Sequence, residues 1–326
     1  MSPEGKGDEY TLQISPSLYH SIFYCDFFTV YFFRFNQMNK QNTLTKWLAA
    51  FFILFFLTIQ SVDAKTKTRK KRAVETYGTL SVMVTNVTDD TITRAQNIDQ
   101  IRALASMTKL MTAMIALDYD HNMSRKLVLS RMAGSKMPKR EYTRGELFHM
   151  LLIKSDNAAA ETLAADYPGG RDKFIRDMNI RAMMLNMYNT QFSDPSGLSS
   201  HNLSTASDVT QMVIASSSYP EIRVISTKKI TTIENIGKRK NRVLVLHNTN
   251  TAILSQLHGV QVSKTGYTNP AGFCVAILVQ KHDGERDYHE VIVVMGARNS
   301  AQRVDTVKKV AYNEVIGDKY AIQSRI

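Results

Sequence analysis

Three short clusters in this sequence bring hydroxyl, amine and amide side chains together at spacings that could support attack on a carbonyl carbon. The first is Ser106-Met107-Thr108-Lys109. A serine and a lysine three residues apart at the start of a helix share one face. The apolar neighbours Leu110, Met111 and Met114 should strip water from the amine and weaken its hold on a proton, so that it can take the hydroxyl proton as a neutral base. Alone, the same spacing also describes a lysine that extends from a core helix to solvent, and Ser226-Thr227-Lys228-Lys229 repeats it. The second cluster, Ser155-Asp156-Asn157, offers a hydroxyl and an amide at a loop-to-helix junction, a pattern also present in Ser200-His201-Asn202. The third, Lys264-Thr265-Gly266, occurs once, at the end of a strand expected over residues 259–263. Its glycine would let a substrate backbone approach closely. Order and context mark out the set: helix start, helical region, strand.

The elements that must position these groups follow from patterning. Residues 80–85 and 91–94 alternate apolar and polar side chains around the turn-forming stretch 86–90, the signature of a hairpin. Residues 104–118 read as a core helix, because Leu110, Met111, Met114, Ile115 and Leu117 wrap most of its circumference. Helical signals continue over 143–152, 157–166, 171–187 and 205–216, with capping-box spacing at Thr143-Arg144-Gly145-Glu146 and a break at Pro168-Gly169-Gly170. Strand character returns at 224–233, 243–247, 259–264, 273–281 and 288–295, and a last helix covers 301–315. The order predicts an antiparallel sheet assembled from both chain ends around an inserted helical region. The methionine-rich stretch 178–187 is read as core packing.

With these motifs in place, the sequence resembles the serine penicillin-recognising enzymes, and within them the low-molecular-mass D-alanyl-D-alanine carboxypeptidases and endopeptidases. The likeness is carried by residues 105–113, by Glu146-Leu147 ahead of Ser155-Asp156-Asn157-Ala158-Ala159, by Asp194-Pro195-Ser196-Gly197-Leu198, by residues 204–208 and by Lys264-Thr265-Gly266-Tyr267-Thr268. Tyr167-Pro168-Gly169-Gly170, residues 201–206 and His247-Asn248-Thr249-Asn250 resemble the endopeptidase branch, which cuts cross-links between stem peptides. The resemblance implies an α/β (α+β) fold of the β-lactamase/transpeptidase type: a five-stranded antiparallel sheet flanked by helices, with an inserted helical subdomain. It makes Ser106 the nucleophile and Lys109 its base, while Ser155 and Lys264 relay a proton to the leaving amine. Asn157 would hold the donor amide and Thr265 the carboxylate beyond the scissile bond, beside Gly266. The backbone N–H groups of Ser106 and Tyr267 would form the oxyanion hole. The implied partners are peptidoglycan stem peptides, with β-lactam antibiotics as covalent inhibitors. A class A β-lactamase needs a glutamate for deacylation, and none occurs between Glu161 and Glu221.

Composition bounds the rest. The chain has 326 residues, a net charge of +12 and two cysteines. Residues 48–59 form a twelve-residue apolar run preceded by Lys40 and Lys46 and followed by Val62-Asp63-Ala64; this is signal-peptide anatomy, shorter than the ~20 residues that span a bilayer. The expected organisation is a mis-assigned start over 1–37, a signal peptide over 38–64, a basic tail over 65–77, a catalytic domain over 78–316 and a C-terminal tail over 317–326. That arrangement implies periplasmic export without a stable membrane anchor after cleavage. Cys25 then falls outside the mature chain, and Cys274, in an apolar run, is read as a buried small hydrophobe. The positive charge favours anionic envelope material over nucleic acid, for which no motif exists. His201, His247 and His258 lack a nucleophile elbow nearby, and His121, His149, His282 and His289 show no metal-ligand spacing. No metal or cofactor is expected.

Overall fold

The computed structural model describes residues 80–132, 135, 137–235 and 242–312. The expected start, signal, tail and C-terminal segments over 1–37, 38–64, 65–77 and 317–326 lie outside the described residues. Strands β1 (Ser81–Asn86) and β2 (Thr91–Gln96) form the opening hairpin. Asn86 Oδ1 accepts from the N–H groups of Thr88 and Asp89 at 2.9 and 3.2 Å, which closes its turn. After β3 (Arg102–Ala103), a 3-10 turn over Ala105–Thr108 leads into α1 (Lys109–Tyr119). Strands β4 (Lys126–Val128) and β5 (Glu141–Thr143) pair, and α2 (Arg144–His149) runs into a π turn over Met150–Lys154. The expected capping box is present: Thr143 Oγ1 accepts from Glu146 N–H, and Glu146 Oε2 accepts from Thr143 N–H. Helices α3 (Asn157–Ala165), α4 (Gly170–Met184), α5 (Ala206–Ser216) and α6 (Pro220–Ser226) follow, with β6 (Leu203–Ser204) before α5. The hairpin β7 (Ile230–Asn235) and β8 (Arg242–His247) and the short α7 (Thr251–Leu254) precede β9 (Val260–Thr268), β10 (Gly272–His282), β11 (Asp287–Ala297) and α8 (Ser300–Ala311).

The main sheet has five strands in the order β2-β1-β11-β10-β9, each neighbour antiparallel. The first and last parts of the domain thus meet at β1 and β11, as the patterning predicts. Side-chain alternation divides the sheet between two cores. Val82, Val84, Val275, Ile277, Ile292 and Val294 pack with Val307 and Val310 of α8. Met83, Ala276, Leu278, Val291 and Val293 face the helices, with Val209 and Val213 of α5 in the same cluster. Burial on both faces explains the near-continuous apolar runs of β10 and β11. Among the described residues no helix is long and apolar enough to cross a membrane.

The helical region is tied together by buried charge. The Arg144 guanidinium, at 0 % exposure, donates to the carbonyls of Ala116 and Asp120 at 2.7 and 2.8 Å and to Asp166 Oδ2 at 3.0 Å. Arg125 bridges the same two aspartates, reaching Asp120 Oδ2 at 2.7 Å and Asp166 Oδ1 at 2.7 Å. The end of α1, the start of α2 and the end of α3 are therefore held in one network.

Three local expectations are corrected. Residues 224–226, read as strand, are the last turn of α6, which starts with Pro220 at its first position, where the missing N–H costs nothing. The strand carrying Lys264 runs on to Thr268 through pairs such as Gly266 with Cys274 and Thr268 with Gly272, so the motif lies inside β9. The stretch 178–187 is only partly core: Met178 and Met187 are buried, but Met183 and Met184 are exposed, since α4 turns inward only at Phe174, Met178 and Ala182.

Candidate active site

Ser106 sits in the 3-10 turn, one residue after Ala105, whose φ of 48° is left-handed. A non-glycine residue there is strained by about 1–3 kcal/mol and must be held by its surroundings. Leu104 N–H donates to Asn202 O at 2.8 Å. Gly197, at φ 80°, lies so close that a Cβ on it would meet the Ala105 carbonyl oxygen at 1.8 Å. From β9, Gly266 presses on the same turn: a Cβ there would meet Leu104 O at 3.0 Å and Ser106 N at 3.2 Å. The expected close approach at Gly266 is thus made by the Leu104–Ser106 turn of the chain itself.

Lys109 is the first residue of α1 and has no exposed surface. Its Nζ lies 2.9 Å from Ser106 Oγ, 2.7 Å from Asn157 Oδ1 and 2.6 Å from the carbonyl oxygen of Ser196. Burial lowers its pKa to about 7, against the opposing charges of Asp194, Asp156 and Glu161. A neutral amine has two protons and one lone pair. Two of its three neighbours are pure acceptors, which leaves the lone pair for the Ser106 hydroxyl.

The second pair is Ser155 and Lys264, 2.9 Å apart. Ser155 follows the π turn in the left-handed conformation, φ 62° and ψ 35°, and Asp156 caps α3 through Ala159 N–H at 3.0 Å. These two devices turn the Ser155 hydroxyl and the Asn157 amide toward Lys109 and β9. Lys264 is buried, and its Nζ also donates to Thr265 O at 2.9 Å. Burial, reinforced by the positive charges of Lys109 and Arg303, holds it well below the usual ammonium range. β9 is an edge strand of the sheet, so among the described residues one side of its backbone has no strand partner. Alternation puts the N–H of Tyr267 on the same side of the strand as the Thr265 carbonyl.

Ser106, Ser155, Thr265, Gly266 and Tyr267 line one cleft of about 330 Å³, with Thr249, Phe273, Ser300 and Arg303. All eight residues picked from the sequence are therefore brought together there or, for Lys109, Asn157 and Lys264, bonded directly to a lining or partner side chain. The other copies of the patterns are elsewhere in role. Ser226 Oγ is buried and accepts from Ser263 N–H at 3.2 Å, and Asn202 Oδ1 accepts from Ser193 N–H and Asp194 N–H at 2.8 and 3.1 Å. His201, His247 and His258 are exposed. Cys274 is buried, which pushes its thiol up to about 11.

Four residues that shape the site had no role assigned from the sequence, although three of them lie in segments that carry the family resemblance. Asp194 Oδ1 accepts from Ser196 and Gly197 N–H, both at 2.7 Å, and its Oδ2 from Ser199 N–H at 2.7 Å; the loop it folds aims the Ser196 carbonyl at Lys109. Asn202 Nδ2 ties this loop to Thr108 Oγ1 at 3.0 Å. Thr249 accepts from the Thr265 hydroxyl at 2.7 Å. Arg303 is 7 % exposed, bonds Ser300 Oγ at 3.1 Å, and has a buried Nε without a partner. Asp194-Pro195-Ser196-Gly197 stood out only as part of the family resemblance, whereas nothing in the pattern of α8 set Arg303 apart from a solvated face.

The profile of the peptidase S11 family, described as D-alanyl-D-alanine carboxypeptidase, matches residues 66–299. The D-alanyl-D-alanine endopeptidase of Escherichia coli is 36% identical over 207 residues, 60% of this chain and 66% of that protein. The D-alanyl-D-alanine endopeptidase of Haemophilus influenzae is 32% identical over 210 residues, 62% of this chain and 70% of that one. The chain spans just under two thirds of the E. coli protein's length. Penicillin-binding protein D2 from Listeria monocytogenes, in its cefotaxime-bound form, superposes with a TM-score of 0.61 at 27% identity, covering 71% of this chain and 95% of that structure. The Streptomyces K15 DD-transpeptidase gives 0.65 at 23% identity, covering 72% and 95%, a likeness of fold.

Proposed function

The chain belongs to the peptidase S11 family of D-alanyl-D-alanine carboxypeptidases, and from that premise we propose that it is a serine D-alanyl-D-alanine endopeptidase cleaving peptidoglycan cross-links. Ser106 Oγ attacks the D-alanyl carbonyl while its proton passes to Lys109 Nζ, 2.9 Å away. The new C–O bond leaves an oxyanion for the N–H groups of Ser106 and Tyr267. When the C–N bond breaks, the departing amine takes a proton through Ser155 Oγ and Lys264. Water then hydrolyses the ester on Ser106. Asn157 Oδ1 is engaged by Lys109, so its Nδ2 is left to donate to the carbonyl on the donor side. On the leaving side, Thr265 and the Arg303 guanidinium, which no carboxylate pairs among the described residues, suit a substrate carboxylate.

The observation that carries this reading is Lys109 itself, a fully buried amine held near neutrality by burial, with two acceptors using its protons and a serine hydroxyl facing its lone pair. Endopeptidase is preferred to carboxypeptidase because relatives named for that activity match at 32–36% identity. Penicillin, whose β-lactam amide is strained, should acylate Ser106 and persist, since no glutamate lies between Glu161 and Glu221 to deacylate it. Export to the periplasm is supported by the apolar run 48–59 and its flanks. Digestion of defined monomeric and cross-linked muropeptides decides the preference. Faster release of D-alanine from monomeric pentapeptide than splitting of dimers replaces endopeptidase by carboxypeptidase.

A further inference from the structure

Thr249 has no part in the steps above, yet its hydroxyl opens into the cleft. The turn that carries it is built in an unusual way: Thr249 is exposed between Asn248 and Asn250, which are 6 % and 1 % exposed. Asn248 Nδ2 donates to the carbonyls of Ser226 and Lys228 at 2.9 and 2.8 Å, and its Oδ1 accepts from Asn250 N–H at 2.9 Å. Asn250 Nδ2 reaches Ser263 Oγ at 2.9 Å in β9. The N–H of Thr249 donates to Ile153 O at 3.1 Å, in the π turn that delivers Ser155. One exposed threonine is thus fixed from α6, from β9 and from the turn beside the second serine. Its hydroxyl then meets that of Thr265 at 2.7 Å.

We propose that Thr249 is a specificity-determining residue, which with Thr265 forms a paired-hydroxyl site for the carboxylate on the leaving side of the scissile bond; this rests on the acyl-transfer reading above. The two hydroxyls own two protons. One closes the bond between them, and the other is left to donate into the cleft. A carboxylate offers two oxygens with several lone pairs, so both hydroxyls can turn toward it, whereas an ester carbonyl needs one donor. Bonds to a charged acceptor are the stronger class, and the placement costs no ordering on binding because the turn is already fixed. Arg303 supplies positive charge to the same cleft.

The test uses purified protein and two probes, benzylpenicillin and its methyl ester, which differ only in the leaving-side carboxylate. The second-order rate of Ser106 acylation is followed for wild type, Thr249→Val and Thr249→Ser, with melting temperatures as a check on folding. For Thr249→Val the rate with the acid falls by about tenfold, the loss expected for one hydrogen bond to a charged group, and the rate with the ester falls by no more than about twofold. Thr249→Ser, which restores the hydroxyl, recovers most of the rate with the acid. Equal losses with both probes, or no recovery in the serine variant, overturn the inference while leaving the acyl-transfer reading standing. Absence of label on Ser106 in wild type overturns that reading and this inference together.

Discussion

Arg144 and Lys109 are both completely removed from solvent, and their surroundings are opposite. Around Arg144, Asp120 and Asp166 lie within ion-pair distance, two carbonyls accept its protons, and Arg125 binds the same carboxylates from the other side. Around Lys109 the direct partners are a hydroxyl, an amide oxygen and a carbonyl, and its nearest carboxylates act only at a distance. A buried cation that is matched by carboxylates stays charged and fastens elements together. One left unmatched sheds its proton instead, and so gains the ability to accept one from a neighbour. Within one helical region, the first arrangement holds α1, α2 and α3 in place, and the second sets an unmatched amine 2.9 Å from Ser106 Oγ, where the proposed reaction needs a base.

The largest effect expected from breaking this division is at Ser106, the proposed nucleophile. Ser106→Ala should lose all covalent penicillin label, while Ser226→Ala, whose hydroxyl serves a backbone bond to β9, should keep it. Mass spectrometry of the labelled peptide distinguishes them, and label on the Ser106 variant ends the assignment. Next in size is Lys109→Met, for which acylation should fall by ~10² to 10⁴, the usual contribution of a positioned base. Its stability should also respond to pH differently. The folded pKa of Lys109, about 7, lies below its unfolded value of 10.5, so the unfolded chain binds more protons between these limits and wild-type stability rises with pH across them. The methionine variant should lose part of that rise in thermal melts. An unchanged slope contradicts a neutral Lys109.

Arg144→Met tests the other side. Removing one member of a buried ion pair typically costs 3–5 kcal/mol, and Arg125 still bonds both aspartates, so about 3 kcal/mol is expected. For a domain of this size that lowers the melting temperature by roughly 6–12 °C. Acylation per folded molecule should stay at the wild-type rate. A catalytic loss without a melting shift reverses the roles given to the two cations.

Much of this site was legible in the sequence, because a helix start, a loop-to-helix junction and a strand each fix a side chain's direction from local spacing alone. Ser106 with Lys109, Ser155 with Asn157, and Lys264 with Thr265 are pairs of that kind. What stayed hidden depends on contacts remote in sequence. Thr249 matters because it meets Thr265, and Arg303 because α8 carries it into the lining of the cleft. Neither position differs locally from a surface threonine or a solvated arginine. The error at residues 224–226 had another origin: the β-branched run Val224-Ile225 outweighed the helix-start signal of Pro220-Glu221, although a proline followed by an acidic first turn is the stronger local evidence.

The smallest effect, and the finest test of the contrast, concerns Asp194. It is the strongest of the charges that raise the Lys109 pKa, yet burial is the larger influence and acts in the opposite direction. Acylation requires the neutral amine, so the wild-type rate should fall about tenfold per pH unit below a midpoint near 7, as for any single titrating base. Asp194→Asn keeps an acceptor for Ser196 and Gly197 N–H and removes the charge. With that charge gone, Lys109 holds its proton less well and the acid limb should move to lower pH, by less than about one pH unit because desolvation dominates. The plateau rate should fall as well, since Ser199 N–H loses its acceptor and the loop aiming the Ser196 carbonyl loosens. Acylation rates measured from pH 5 to 9 separate the two consequences. A lower plateau with an unmoved limb leaves Asp194 a purely structural part of the loop. A limb displaced upward is incompatible with a base kept neutral by burial and restrained by a neighbouring carboxylate.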